Sequence, residues 1–149
     1  MAPRSLTVAL LGLLVVAASP APPGGAAREL LVENSDRGTV LRIRLGPGEV
    51  FSVVSQHSMY DQPVTEDFVL DEEGRIVLQA VTSPSAAVRE YFGITSAGDR
   101  HAMARTMNEI VFRIATGTPQ RLRAGGVERS FLELGEHGDR LVVHAAHPP

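Results

Sequence analysis

The 149-residue chain contains no cysteine, no lysine and no tryptophan. Without cysteine there is neither a disulfide framework, nor a thiolate metal site, nor a lipid-modified cysteine anchor, so stability has to come from a hydrophobic core. The missing lysine makes every basic residue an arginine, which reads as the coding bias of a GC-rich bacterium before it has any functional meaning. Charge of either sign is not concentrated: 14 arginines are interspersed with 17 acidic residues for a net charge of -3. That balance lacks the basic footprint of a nucleic-acid binder or of a protein held on anionic lipid. No apolar run reaches the roughly twenty residues that span a bilayer comfortably.

The apolar run that does occur, Leu6 to Ala18, follows Arg4 and precedes small residues, the pattern of a secretory signal. Residues 1–27 are therefore expected to be a signal peptide with a Pro- and Gly-rich tail, cleaved after Ala18 or Ala27. An uncleaved anchor, tethered through Pro20 to Gly25, is the alternative reading. Residues 28–149 then form one domain, about the size that buries a single core. Its expected location is extracytoplasmic, periplasmic or secreted.

Within that domain, apolar residues recur with the period of two that marks half-buried strands. Thr39 to Leu45 alternates apolar residues with Arg42 and Arg44 and ends in the turn Gly46-Pro47-Gly48. Glu49–Met59, Val64–Leu70 and Arg75–Thr82 read as three further strands, the last two joined at Asp71-Glu72-Glu73-Gly74. The four strands predict an antiparallel meander from Thr39 to Thr82. Ser83 to Met107 reads as a long irregular loop with one or two helical turns at Ala86 to Phe92, and long loops in compact domains are often functional. Strand character returns at Glu109–Ala115, Gln120–Arg123 and Arg140–Ala145, with Ser130–Leu134 a short helix or a strand. Seven or eight short strands without helical periodicity predict an all-β fold, an antiparallel β-sandwich or partly open barrel.

The stretch Gln56 to Phe68 carries the candidate site. With the turn centred on Asp61-Gln62, His57 is expected opposite Glu66 on the face that also bears Phe51, Val53, Phe68 and Leu70. A buried His-carboxylate pair is costly unless each group satisfies the other, so it serves either to lock the hairpin or to meet a ligand. Ser58 points away from His57 as its strand neighbour and is a poor nucleophile. Arg89, Tyr91 and Phe92 place a charge beside aromatic rings in the irregular region, as a pocket wall or as a plug for the core. The Arg42/Arg44 and Arg121/Arg123 pairs read as solvated faces balanced by acidic neighbours. No metal site is predicted: His137 is a turn residue, His144 and His147 sit at the terminus, and Asp71 to Glu73 lacks the spacing of a calcium loop.

The series Phe51, His57-Ser58, Pro63-Val64, Glu66 and Phe68 resembles a bacterial family of exported proteins, domain-of-unknown-function family 1850. The resemblance covers most of Gly48 to Val143. Tyr60 stands where members commonly carry Glu or Gln, and Ser85-Ala86-Ala87-Val88 replaces a Gly-Ala-Gly type of loop. Genes of that family often lie beside tripartite solute transporters that use an extracytoplasmic solute-binding protein. The resemblance thus implies an exported accessory of solute uptake, with a transporter component or a solute-binding protein as partner. It supplies no activity and no cofactor. The expected function is that of a binding or adaptor domain contacting its ligand or partner through His57, Ser58, Tyr60, Glu66, Arg89 and Tyr91, with no catalytic residues. The alternatives are a small hydrolase-type enzyme using a His57–Glu66 acid-base pair and a structural envelope protein.

Overall fold

A computed structural model describes residues 26–146; the expected signal peptide lies almost wholly outside them, as does His147. Among the described residues ten strands form two antiparallel sheets packed face to face, an all-β sandwich whose sheets do not close. They are β1 (Arg28–Asn34), β2 (Thr39–Leu45), β3 (Phe51–His57), β4 (Gln62–Leu70), β5 (Ile76–Thr82), β6 (Arg100–Met107), β7 (Glu109–Arg113), β8 (Arg121–Ala124), β9 (Val127–Ser130) and β10 (Arg140–Ala145). A six-residue helix, α1 (Ala86–Tyr91), and a 3-10 turn at Phe131–Glu133 complete the fold. The smaller sheet runs β2-β1-β10-β7 and the larger β6-β5-β4-β3-β8-β9.

Alternation explains how the sheets face each other. Leu30, Val32, Ile43, Leu45, Leu141 and Val143 point inward from the smaller sheet and are buried. From the larger sheet Phe51, Val53, Phe68, Leu78, Val81 and Leu122 do the same, with the Phe51 and Phe68 rings stacked at 5.3 Å between centroids. Each fully buried side chain of this kind contributes about 1.5–3 kcal/mol relative to leaving it in water. The outer faces carry ion pairs, together with Val40 and Val111, which stay exposed on the smaller sheet. Ser52 donates to Asp67 at 2.6 Å and Arg100 pairs with the same carboxylate, while Arg42 pairs with Glu29, and Arg121 and Arg123 with Glu128.

Three expectations are corrected. The meander holds for β3, β4 and β5 and continues into β6, but β2 pairs with β1 in the other sheet, because Gly46-Pro47-Gly48 carries the chain across the sandwich. Gly48 takes φ +66 there, and Gly46 N–H is held by the Glu49 carboxylate at 2.7 Å. Three strands unmarked by the alternation, β1, β6 and β9, raise the count to ten. In β1 the outward Leu31 and the inward Asn34 break the apolar rhythm, and the strand is held by β10, more than a hundred residues later. The edge strand β6 has one solvated face, few β-branched residues and a bulge opposite Leu78 and Ala80, so the expected loop shrinks to residues 83–99. The Ser130–Leu134 stretch takes the helical of its two readings, a 3-10 turn started by a capping box between Ser130 and Glu133.

Helix α1 begins where Ser85 accepts from Val88 N–H at 3.3 Å and ends in a Schellman pair. Gly93 N–H donates to Glu90 C=O, Ile94 N–H donates to Arg89 C=O, and Gly93 takes φ +76. The helix inserts Val88 into the core and leaves Tyr91 facing outward. It therefore caps the same end of the larger sheet to which the β3–β4 hairpin turn projects.

Candidate functional site

The β3–β4 register places His57 opposite Gln62 and Glu66 opposite Val53. His57 and Glu66 share a face, as the parity of the strands requires, but they are four residues apart along the ladder, about 13 Å at roughly 3.3 Å per residue. The expected cross-strand pair is therefore not formed. The reason is local. The turn occupies Ser58 to Asp61, two residues earlier than expected, with the N–H groups of Tyr60 and Asp61 both donating to His57 C=O at 3.2 and 2.8 Å. Asp61 accepts the left-handed conformation that closes this turn, φ +52, and Gln56 Nε2 clasps its carboxylate at 2.6 Å. The acid-base pair on which an enzymatic reading rests is absent in this geometry.

What the fold assembles instead is aromatic. The His57 ring stacks with Tyr60 at 5.1 Å and meets Tyr91 edge-on at 4.6 Å, and Tyr91 in turn meets Phe92 at 5.5 Å. His57 Nδ1 is buried in this cluster with no hydrogen-bond partner among the described residues. A buried polar atom left unpaired costs about 1–3 kcal/mol. Around it, Met59, Tyr91 and Tyr60 expose 70, 61 and 37 % of their surface. Ser58 is exposed within the turn.

Arg89 belongs to the frame of the site. Its guanidinium donates to the carbonyls of Ser83 and Pro84 at 3.2 and 3.1 Å, and Ser83 Oγ donates to Pro63 C=O at 2.8 Å. These bonds fasten the start of α1 to the start of β4, so Tyr91 is presented from a fixed base. Glu66 lies deeper, between Val53 and Val81 across the sheet and Val64 and Phe68 along the strand. Burial pushes its carboxyl up to about 6, against the opposing field of Arg105. No hydrogen bond or ion pair to this carboxylate is formed among the described residues.

His57, Tyr60 and Tyr91 are thus brought together, with Arg89 beneath them, whereas Ser58 and Glu66 are separate. Sequence reasoning passes over Met59, whose only signal is a large apolar residue at the tip of a hairpin. It also passes over Leu132, half exposed between two clefts of about 460 and 500 Å³. Those clefts are lined in part by Arg121 and Glu128, and by Arg37 and Glu136; none of the six expected contact residues lines either one. Among the described residues no group of three or more His, Asp or Glu side chains could hold a metal ion. His101 is occupied structurally: Nε2 donates to Gly98 C=O at 2.7 Å, and Nδ1 lies 2.9 Å from Ser96 Oγ. No family model, no curated protein and no solved structure matches this chain.

Proposed function

We propose that this chain is an exported binding or adaptor domain that uses the His57, Met59, Tyr60 and Tyr91 end of the sandwich to hold another protein, as an accessory of solute uptake. The observation that carries the binding role is the exposure of Met59 and Tyr91 on a stiff base. Large apolar and aromatic side chains held outward cost solvation and give nothing to the core. They are the residue types that dominate protein interfaces, where two-χ aromatic rings supply contact area at low entropic cost. The unpaired Nδ1 of His57 beneath them adds a polar group that the fold leaves unsatisfied. The export and uptake parts rest on the sequence: the Leu6 to Ala18 run, and the resemblance carried by His57-Ser58, Pro63-Val64 and Glu66.

A photo-crosslinking side chain at position 91 or 59, introduced in the producing cell, tests this. The expected product is a discrete adduct with a transporter subunit or an extracytoplasmic solute-binding protein, absent when the same group replaces exposed Arg44 on the smaller sheet. Adducts with unrelated envelope proteins would remove the uptake role. Equal labelling from all three positions would remove the binding surface itself.

A further inference from the structure

Acidic residues adjoin the aromatic end. Asp61 adjoins Tyr60 in the hairpin turn and Glu90 adjoins Tyr91 on α1. The contact between His57 and Tyr91 brings those two segments together. Asp99 approaches from the loop before β6: its backbone carbonyl accepts from Ser83 N–H at 2.8 Å, and its carboxylate lies 3.9 Å from Arg89. Glu90 has no ion pair or side-chain hydrogen bond among the described residues. Of the two nearby cations only one meets this rim. Arg89, 17 % exposed, donates from Nη1 to two carbonyls and partly neutralises Asp99 at 3.9 Å, whereas Arg100 pairs with Asp67, and Asp61 and Glu90 form no ion pair among the described residues.

The sheet edges present a different chemistry. Arg42 and Arg44 on β2, Arg113 on β7, Arg129 on β9, and Arg100 with Arg105 and a bulge on β6 put a charge on every edge strand. Such features suppress strand addition by another chain. The aromatic end of the sandwich differs from the edges in setting an apolar centre beside acidic residues. A complementary surface needs aromatic or aliphatic anchors for Met59 and the two tyrosines, with cations around them. Arginine suits both requirements, since its guanidinium pairs with carboxylates and stacks on tyrosine faces.

We infer that the partner bound at this end presents a basic surface, arginines and lysines around an apolar anchor, to the Met59–Tyr60–Tyr91 centre and its Asp61, Glu90 and Asp99 rim. This rests on the binding role proposed above and specifies its chemistry. Rim charges of this kind act mainly on encounter and selectivity, and the exposed ones are screened as salt rises.

A phage-displayed library of random twelve-residue peptides, selected on the purified chain, provides the test. Enriched peptides should carry net positive charge with an aromatic or leucine anchor. The best of them, synthesised, should bind at least tenfold more weakly to Tyr91→Ser, several-fold more weakly to Glu90→Arg and Asp61→Asn, and more weakly in 0.5 M than in 0.05 M salt. Peptides that lose affinity with Tyr91→Ser yet are neutral or acidic would overturn the basic partner and leave the binding surface standing. No enrichment, or binding indifferent to Tyr91→Ser, would overturn both. Self-association that Tyr91→Ser abolishes, seen by ultracentrifugation, would assign the surface to a second copy. Tyr91-dependent flotation with phosphatidylcholine–phosphatidylglycerol vesicles would assign it to a membrane; either result overturns the proposal.

Discussion

The ring of Tyr91 meets the ring of His57 edge-on at 4.6 Å between centroids, so helix α1 and the β3–β4 hairpin are joined through a histidine that alternation alone would send into the core. The contact should be energetically coupled. His57→Ala, Tyr91→Ala and the double variant, compared by urea denaturation, are expected to give a coupling of about 0.5–1.5 kcal/mol, the range for an edge-on aromatic pair. Additive effects would mean that the rings merely lie side by side.

Glu66 should lower stability at neutral pH. Its carboxyl, raised to about 6 in the folded chain against 4.5 ordinarily, binds a proton more tightly folded than unfolded. The associated stability is full below about pH 4.5 and is lost as pH rises through 6, by on the order of 2 kcal/mol. Glu66→Gln should therefore be more stable than the parent at pH 7.5, about equal at pH 4, and flatter between them. Urea midpoints at four pH values check this, and a Gln variant that is less stable at pH 7.5 would refute it.

Asp139 should behave in the opposite sense. One of its oxygens accepts from Glu136 N–H at 2.9 Å, from Arg37 Nε at 2.5 Å and from Asn34 Nδ2 at 3.0 Å, which together hold its carboxyl down at about 2. The stability this set provides is present above the ordinary carboxylate range and is lost as pH falls from about 4 towards 2. Asp139→Asn should lower the melting temperature at pH 6 and reduce the loss on acidification. Equal acid sensitivity in parent and variant would count against the network.

The β8–β9 turn gives two neighbouring glycines opposite tolerances. Gly125, at φ +56, would place a Cβ 2.6 Å from Arg44 C=O and 2.8 Å from Ile43 Cγ2, whereas at Gly126, φ +72, nothing stands within 4 Å. Gly125→Ala should cost at least about 1–3 kcal/mol, while Gly126→Asn, whose residue type accepts the left-handed region, should cost under about 1 kcal/mol. Similar losses at both positions would show that backbone conformation, and not the approach to β2, sets the penalty.

A larger loss is expected in the core. Phe68→Ala removes one of the two stacked rings between the sheets and should destabilise by about 3–5 kcal/mol. A loss below about 1 kcal/mol in a denaturation series would mean that the stack is not a principal core contact.

The strands β2, β3, β4, β5 and β10 were legible because β2 and β3 alternate between two faces and the others carry short apolar runs bounded by turn residues, signals that one strand carries alone. Parity was legible for the same reason: His57, Glu66, Phe51 and Phe68 share a face whichever even-numbered slip the hairpin takes. The slip itself was not. It depends on which residue accepts the left-handed turn conformation, and Asp61, held by Gln56, takes that role.

Alternation and composition by themselves determined the fold class, the outward arginines balanced by acidic neighbours, and the dependence on a core without cross-links. The tertiary structure decided which strands pair. β1 and β6 have weak patterns of their own and exist because β10 and β5 supply the hydrogen bonds they need. It also decided which side chains meet at the exposed end. His57 and Tyr91 are separated by 33 intervening residues, and nothing local fixes their distance. That distance is set where Ser83 and Arg89 fasten the start of α1 to Pro63, the start of β4.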